Sequence, residues 1–349
     1  MRAFAYLGNG TAAWIETDRP KATGFDAVVR PLMVAPCTSD VHNVAINCLK
    51  PNRILGHEGV GQIVEVGELV RDFKVGDVVA IPPVPPDWRT VPSQLGAHQH
   101  CSGLITGQKL SNSEDGLFAE FALIRDVDAN CARIPDGVSL EAALMAADML
   151  NTGLYGAELA EVQPGDTVVV MGIGPVGLMA VAGARLRGAG RIIAIGSRPH
   201  CVELARFFGA TDIVYYKDGN VERQVHALTD KKGADCVICA GGGDDALGQA
   251  VAMARWGGTI GNVNYFTTYG DLLLNNVRYG FGMGNKTIRG GECPGGRARM
   301  EKLLNLLKYD RVDPTPLITH RFQGLDQVED AFRLMAAKPP ELVKTIVTL

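Results

Sequence analysis

A glycine motif, GIGPVG at residues 172–177, has the spacing that most directly predicts cofactor chemistry. It follows the apolar run 168–171 and precedes an Ala- and Leu-rich stretch with helical composition, after which a second apolar run covers 192–195. In such a unit the glycines allow a tight turn, close approach of backbone to a pyrophosphate at the helix N-terminus, and close packing of helix on strand. The motif predicts a dinucleotide site, although a glycine-rich turn without a ligand also occurs in doubly wound sheets. The residues assigned to the phosphates are Gly172, Gly174, Pro175, Val176 and Gly177.

The end of the second apolar run indicates which dinucleotide is bound. An NAD site places an acidic residue about 20 residues past the glycines, where the carboxylate holds the ribose 2′-hydroxyl. Here the run ends in Gly196, Ser197 and Arg198, with no carboxylate to repel a 2′-phosphate. A serine hydroxyl can donate to that phosphate, and a guanidinium can pair with it through two hydrogen bonds. The sequence therefore favours NADP, the alternative being that Arg198 is a solvated loop charge.

The composition is that of an ordinary globular protein. A length of 349 residues suggests about two domains, and 46% hydrophobic with 21% charged residues is typical of a soluble fold. The formal net charge of −4 and the lack of a basic run disfavour nucleic acid as a partner. The first residues contain no secretory apolar core, and no apolar run approaches the length of a membrane span. We therefore predict a cytoplasmic protein without membrane or nucleic-acid partners.

The eight cysteines lack the spacing of a disulfide framework, which is typical of a reducing compartment. Cys236 and Cys239 match the C-x-x-C pattern, but they lie in the short apolar run 235–240, which is typical of a buried strand. Side chains three positions apart on a strand point to opposite faces of the sheet. We therefore interpret both residues as part of a core.

The distribution of apolar runs predicts two structural regions. Up to residue 150 the runs are short and separated by Gly, Pro and Asp turns, which is typical of a mainly β domain. From residue 168 strands and helices alternate, as in a parallel sheet with helices on both faces. The tail is too short to bury a core and is expected to complete the first domain. The strands predicted in the first region are 2–7, 27–35, 61–66, 78–81 and 118–124.

Local signals place two further residues. Ser139 precedes an Ala-rich stretch and is predicted to cap a helix, near whose end Asp148 falls. A strand is predicted over 213–216, so that Tyr216 lies at the end of the third strand of the α/β region.

A second motif, GHEGVGQIVEVGELV at residues 56–70, fits the pattern G-H-E-x2-G-x5-G-x2-V completely. This pattern is the signature of zinc-containing alcohol dehydrogenases. With CTSDVH at 37–42 and the dinucleotide unit, the whole chain resembles a zinc-containing medium-chain dehydrogenase, and more closely the microbial NADP-dependent secondary-alcohol dehydrogenases. The resemblance implies an α/β fold in which a Rossmann doubly wound parallel sheet domain, 152–292, is inserted into a mainly β GroES-like catalytic domain, 1–151 and 293–349.

The resemblance also implies one catalytic zinc per subunit. Three protein ligands and an open position are needed, and Cys37, His57 and Asp148 fall at the family positions. Glu58 is implied as either a fourth, exchangeable ligand or a residue that supports the others, and the sequence does not decide between them. Taken singly, Cys37 could be a core residue, His57 a buried structural histidine and Asp148 a helix-end residue.

Ser39 and His42 resemble the proton relay of the family, in which a hydroxyl beside the metal takes the alcohol proton and passes it outward. The alternatives are that Ser39 belongs to a helix start and His42 to a helix surface. The implied reaction is hydride transfer between NADP(H) and a small secondary alcohol or ketone, and also aldehydes, with zinc lowering the pKa of the alcohol.

Further residues are implied to surround the two substrates. Tyr216 matches a position that flanks the 2′-phosphate, with a strand-end aromatic as the alternative. Met283 resembles a residue that a neighbouring subunit lends to the pocket, which implies a functional homotetramer. Core packing explains some of these positions equally well. The residues implied to line the substrate pocket are Val84, Trp88, Leu150, Tyr265, Met283 and Cys293.

Two departures from the family pattern affect what can be expected. Many relatives have four cysteines for a structural zinc between about residues 77 and 116, where this chain has only Cys101, so no structural zinc is expected. Gln108 stands where the secondary-alcohol relatives have an aromatic residue, which leaves substrate size open. The competing functions are a zinc-free NADPH quinone or enoyl reductase, which lacks the metal ligands, and a non-catalytic NADPH-binding protein.

Overall fold

The computed structural model describes residues 1–101, 109–266, 273–274, 276 and 279–349. Gln108 lies outside these residues. The chain divides into two compact units, one formed by Met1–Asp148 with Pro294–Leu349 and the other by Met149–Cys293.

The secondary structure changes from mostly strands to alternating strands and helices along the chain. The strands are β1 (Arg2–Gly8), β2 (Thr11–Glu16), β3 (Ala27–Ala35), β4 (Arg53–Ile54), β5 (Glu58–Val66), β6 (Val78–Ile81), β7 (Ala122–Ile124), β8 (Ala132–Arg133), β9 (Thr167–Met171), β10 (Arg191–Ile195), β11 (Asp212–Val214), β12 (Ala234–Cys239), β13 (Ala254–Asn262), β14 (Thr287–Gly290), β15 (Ile318–Gln323) and β16 (Lys344–Thr348). The helices are α1 (Thr38–Ala45), α2 (Val91–Gln94), α3 (Val127–Asn130), α4 (Leu140–Met145), α5 (Asn151–Leu159), α6 (Pro175–Leu186), α7 (Pro199–Phe208), α8 (Val221–Leu228), α9 (Ala246–Met253), α10 (Arg297–Lys308) and α11 (Val328–Ala337).

The first unit is built on two sheets. A three-stranded sheet has the order β2-β1-β4, and a seven-stranded sheet has the order β15-β16-β3-β5-β6-β8 with β7 also paired to β3. Strands β3 and β5 run antiparallel, with Ala35 opposite Glu58. This register matters because Cys37 follows β3 by two residues and His57 directly precedes β5. The pairing therefore brings two loops with chemically active side chains to the same end of the sheet.

The second unit is a doubly wound parallel sheet with the strand order β11-β10-β9-β12-β13-β14. All neighbouring strands are parallel. Four of the five residues of β9 are apolar and buried, as expected for a strand covered on both faces. Cys236 and Cys239 are buried in β12, which confirms their interpretation as core residues. The predicted α/β fold, with a Rossmann-type unit and a GroES-like unit, is thus confirmed.

Several predicted elements differ from the structure. The strand predicted over 118–124 is reduced to Ala122–Ile124, because Phe118 forms its backbone hydrogen bonds with Phe4 and Leu55 in a loop. Strand β11 ends at Val214, and Tyr216 begins a single turn of 3-10 helix instead of ending the strand. The sequence analysis missed the short strands β2, β4, β8, β14 and β15.

Helix α4 begins as predicted, since the Ser139 hydroxyl accepts a hydrogen bond from the Ala142 N–H at 3.1 Å. Asp148 does not lie near the end of the helical region. It lies in a π-helical turn, Ala146–Leu150, and α5 follows that turn directly. In the described part of the chain, no helix combines the length and apolar composition needed to cross a membrane.

Candidate functional site

Four side chains of the first unit converge on one point. Cys37, His57, Glu58 and Asp148 each offer one ligand atom, and these four atoms lie within 4.8 Å of one another. His57 Nε2 is 3.3 Å from an Asp148 carboxylate oxygen and 4.0 Å from a Glu58 oxygen. His57, Glu58 and Asp148 are buried, with relative exposures of 1%, 0% and 7%. The structure therefore brings together all four predicted metal-ligating residues.

Asp40 orients the imidazole of His57. Asp40 Oδ1 lies 3.0 Å from His57 Nδ1 and accepts a hydrogen bond from the Ser111 hydroxyl at 2.6 Å. The second oxygen of Asp40 accepts the Cys37 N–H at 3.2 Å. Because Nδ1 donates to the carboxylate, Nε2 faces the cluster and, once it has lost its proton, offers the lone pair that a metal-ligating histidine requires. Without a metal, burial acts to lower the pKa of His57, but Asp40 and Asp148 raise it well above its ordinary value. Asp40 and Ser111 were not identified from the sequence.

Lys344, at the start of β16, is the other residue of this site that sequence analysis missed. Its ammonium Nζ lies 2.5 Å from Glu58 Oε1, and its side chain is 1% exposed. Burial acts to lower the pKa of Lys344, but the Glu58 carboxylate and the Cys37 thiolate raise it above its ordinary value. Lys344 is therefore an ammonium at neutral pH, and it compensates one of the negative charges of the cluster.

The electrostatics of the cluster favour a thiolate at Cys37. Burial raises the pKa of this thiol, but Lys344 and a hydrogen bond with His57 more than offset the effect, so that the pKa falls from 9.0 to about 6. The donor set of thiolate, imidazole and carboxylate is the one that Zn²⁺ prefers. Zinc–ligand bonds of about 2.0–2.3 Å place the ligands of one ion roughly 3–4 Å apart. The observed separations are close to that spacing, so the residues fit a zinc ion.

The two residues assigned to a proton relay are placed differently. The Ser39 hydroxyl lies 3.5 Å from His57 Nε2 and so adjoins the cluster. His42 lies one turn further along α1 and is half-buried, and burial together with Lys338 lowers its pKa. Among the hydrogen bonds of the described residues, none links Ser39 to His42.

The residues assigned to the substrate pocket fall in both units. In the first unit, Val84 lies against Gly295, where an added Cβ would come within 1.9 Å of the Val84 carbonyl oxygen. Trp88 lies against Gly296, where an added Cβ would come within 2.4 Å of the indole ring. The Trp88 indole N–H donates to Asn130 at 3.1 Å, which fixes the ring. In the second unit, Leu150 and Cys293 are buried, whereas Tyr265 and Met283 are exposed.

The glycine motif lines a cavity of about 610 Å³ in the second unit. Gly172 has φ +81°, a conformation that favours glycine. A Cβ on Gly177 would lie 1.7 Å from the Gly172 carbonyl oxygen, whereas a Cβ on Gly174 would meet nothing within 4 Å. The motif thus has a tight turn with a left-handed glycine, a close packing contact and an open approach to the start of α6, as a pyrophosphate site requires.

The far end of this cavity is suited to a phosphate. Gly196, Ser197, Arg198 and Tyr216 line it, and its described lining contains no carboxylate. The Ser197 hydroxyl oxygen is buried and has no hydrogen-bond partner in the described structure. A buried hydroxyl without a partner is costly, and a phosphate oxygen would satisfy it. Pro175, Val176 and Gly177 are not in the described lining; they form the first turn of α6.

Comparisons with known proteins match residues in both units. A family model described as alcohol dehydrogenase GroES-like domain matches residues 24–136, and one described as zinc-binding dehydrogenase matches residues 175–308. The chain is 54% identical to an NADP-dependent isopropanol dehydrogenase of Thermoanaerobacter brockii and 52% identical to one of Clostridium beijerinckii, with 100% of each chain covered. Its structure is similar to that of the alcohol dehydrogenase TADH from Thermus sp. ATN1, with a TM-score of 0.88, 28% identity and 100% and 99% of the two chains covered.

Proposed function

Because this chain belongs to the zinc-containing medium-chain alcohol dehydrogenase family, we propose that it transfers a hydride between NADP(H) and a small secondary alcohol or its ketone, and also reduces aldehydes. The observation that carries this proposal is the convergence of Cys37, His57 and Asp148 with a charge-compensated Glu58. A zinc-free reductase or a non-catalytic NADPH-binding protein has no use for such a buried ligand set.

Cys37, His57 and Asp148 would hold one zinc per chain, and no structural zinc is proposed. When bound, zinc supplies Lewis-acid polarisation of the substrate oxygen and lowers the pKa of an alcohol. Glu58 is proposed not to be a permanent ligand, because Lys344 holds one of its oxygens at 2.5 Å.

The protein itself positions the groups and moves the proton. Asp40 keeps the proton of His57 on Nδ1, so that Nε2 stays a lone-pair donor. The Ser39 hydroxyl, beside Nε2, would accept the proton of the alcohol and pass it outward towards His42. A bound dinucleotide would supply the hydride chemistry, while the protein supplies placement and electrostatics.

The NADP preference is assigned to the end of the dinucleotide cavity. Ser197 Oγ has no hydrogen-bond partner among the described residues and would donate to the 2′-phosphate. Arg198 would pair with that phosphate and Tyr216 would flank it. Gly174 leaves space for the pyrophosphate at the start of α6.

The surroundings of the substrate are proposed from the family positions. Val84, Trp88, Leu150, Tyr265 and Cys293 would form an apolar wall for two alkyl groups. Met283, with a relative exposure of 102%, would reach the pocket of a neighbouring subunit in a homotetramer. We also propose a cytoplasmic location, in keeping with eight cysteines that form no disulfide among the described residues. We further propose that residues 1–151 and 293–349 form the catalytic domain and that residues 152–292 form the NADP-binding domain.

The proposal is tested by an alcohol panel with both cofactors. The protein should oxidise 2-propanol and 2-butanol with NADP at a kcat/KM well above that with NAD. Oxidation with NAD at equal efficiency would contradict the assignment of the cofactor. A lack of any alcohol or ketone turnover would contradict the reaction itself.

A further inference from the structure

Ser111 has a backbone conformation that is unusual for a buried residue. Its φ is +68°, in the left-handed region that favours glycine. Every other non-glycine residue that the structure describes with a positive φ is exposed or half-buried, whereas Ser111 is 1% exposed. Asparagine and aspartate adopt this conformation more readily than serine does. Such a strained residue persists only where its surroundings hold it, and residues of this kind cluster at functional sites.

The turn that contains Ser111 is fixed on both sides of this residue. The backbone N–H groups of residues 112–114 donate to the Lys109 carbonyl at 3.1–3.3 Å. Leu110 is buried in the hydrophobic core of the first unit, and its N–H donates to the Pro83 carbonyl at 3.0 Å. A glycine at position 111 would form the same turn without strain, because it has no Cβ. What serine adds to this turn is its hydroxymethyl group.

The Ser111 hydroxyl is directed at Asp40. Its oxygen lies 2.6 Å from Asp40 Oδ1, and because a carboxylate only accepts, the hydroxyl donates. Asp40 is 0% exposed, so protein groups must satisfy its carboxylate in place of water. The described donors are the Ser111 hydroxyl and His57 Nδ1 on one oxygen and the Cys37 N–H on the other.

Ser111 differs from the other two donors in where it comes from. His57 and Cys37 are themselves proposed metal ligands, so their hydrogen bonds cannot give the Asp40 carboxylate a position that is independent of the ligands. Ser111 is the one described donor that belongs to a separate turn, which the core holds in place. We propose that Ser111 is a positioning residue of the zinc site, which fixes Asp40 and, through it, the two ligands. This inference rests on the proposed zinc site.

The test is the Kd of zinc, measured by competition between the zinc-loaded protein and a chelator of known affinity. Ser111→Ala and Ser111→Gly both remove the hydroxyl, whereas only the glycine variant relieves the backbone strain. Residues that orient metal ligands contribute about 10- to 100-fold to metal affinity, so the Kd should rise at least tenfold in both variants. The matched control is Ser113→Ala, since the Ser113 hydroxyl donates to the Lys109 carbonyl at 3.3 Å; its Kd should stay within twofold of the parent.

Two further measurements separate positioning from a general loss of fold. The urea midpoint of Ser111→Gly should lie above that of Ser111→Ala, because alanine is strained at positive φ. The absorption spectrum of the cobalt-loaded protein, which depends on ligand geometry, should change in both Ser111 variants and stay unchanged in Ser113→Ala.

The outcomes distinguish this inference from the proposed zinc site. A zinc Kd within twofold of the parent in Ser111→Gly would refute the positioning role, even if Ser111→Ala binds zinc weakly, because the loss would then come from backbone strain and not from the hydroxyl. A parent protein that binds no zinc would overturn the proposed zinc site, and this inference with it.

Discussion

Lys344 Nζ and Glu58 Oε1 form a buried ion pair at 2.5 Å, next to the proposed metal ligands. Burial raises the pKa of Glu58 well above its ordinary value, although Lys344 acts to lower it. With all three groups ionised around a metal, the Cys37 thiolate and the carboxylates of Asp148 and Glu58 would carry three negative charges. A zinc ion and the Lys344 ammonium would together carry three positive charges. The lysine would thus compensate the carboxylate that a three-ligand zinc site does not need, and a bound metal would keep its Lewis acidity.

Removal of the lysine charge should destabilise the protein. In Lys344→Met, Glu58 is left buried without its counter-ion, so the free energy of unfolding should fall by about 3–5 kcal/mol, measured by urea denaturation of the zinc-loaded protein. The double variant Lys344→Met/Glu58→Gln should regain most of this loss, while the exposed control Lys302→Met should change stability by less than about 0.5 kcal/mol. A single variant as stable as the parent would refute the role of the pair.

The cluster should make Cys37 reactive in zinc-stripped protein. Its pKa is lowered to about 6, whereas burial raises the pKa of Cys131 to about 12. Only the thiolate is nucleophilic, so alkylation of Cys37 should be fast above pH 6 and be lost as the pH falls through about 6. Mass spectrometry of iodoacetamide-treated samples from pH 5 to pH 9 measures this profile.

The variant Lys344→Met is the control for this pH profile of Cys37 alkylation. Lys344→Met removes the strongest influence that lowers the Cys37 pKa and should move the midpoint upward. A midpoint near 9.0 in the parent protein would show that the cluster does not activate this thiol.

Two glycines of the dinucleotide motif should respond differently to the same substitution. Gly174→Ala adds a methyl group into open space, so the fold should keep its stability, but NADP binding should weaken at least tenfold because the pyrophosphate approaches there. In Gly177→Ala the methyl group meets the Gly172 carbonyl at 1.7 Å, so the protein should lose stability. Urea unfolding and NADP titration measure both effects. If Gly174→Ala binds NADP normally, the phosphates lie elsewhere.

Arg198 should determine the preference of the protein for NADP over NAD. A hydrogen bond to a charged group contributes about 1.5–3 kcal/mol, so Arg198→Ala should raise the Kd of NADP by roughly 10- to 150-fold. The Kd of NAD, which has no 2′-phosphate, should stay within twofold. Arg206→Ala, an exposed arginine outside the described cavity lining, is the matched control. Equal losses of both cofactors in Arg198→Ala would refute its contact with the 2′-phosphate.

Sequence patterns predicted those parts of the molecule that depend on short-range signals. Five of the six strands of the parallel sheet contain short apolar runs, and the glycine motif lies within one strand–helix unit, so these parts could be located from local sequence, whereas the mostly polar β14 could not. The start of α4 at Ser139 is likewise a local hydrogen bond. Asp148 was placed near a helix end because nothing local distinguishes a π-helical turn from an ordinary one.

Lys344 and Ser111, two of the three site residues that sequence analysis missed, contact residues that are distant in the chain. Lys344 and Glu58 are separated by 286 positions and meet only because β16 pairs with β3, which in turn pairs with β5. Ser111 reaches Asp40 across 71 positions. A lysine at the start of a terminal strand has no local feature that distinguishes it from a solvated surface charge. Such partners become visible only when the sheet register is known.

The central claim is that Cys37, His57 and Asp148 hold a catalytic zinc. The most direct measurement removes the metal with a chelator, follows 2-propanol oxidation with NADP, and then restores Zn²⁺ in known amounts. We expect that activity disappears with the metal and returns fully at one zinc per chain, whereas Cys37→Ser binds less zinc and stays inactive. Undiminished activity in metal-free protein would contradict it.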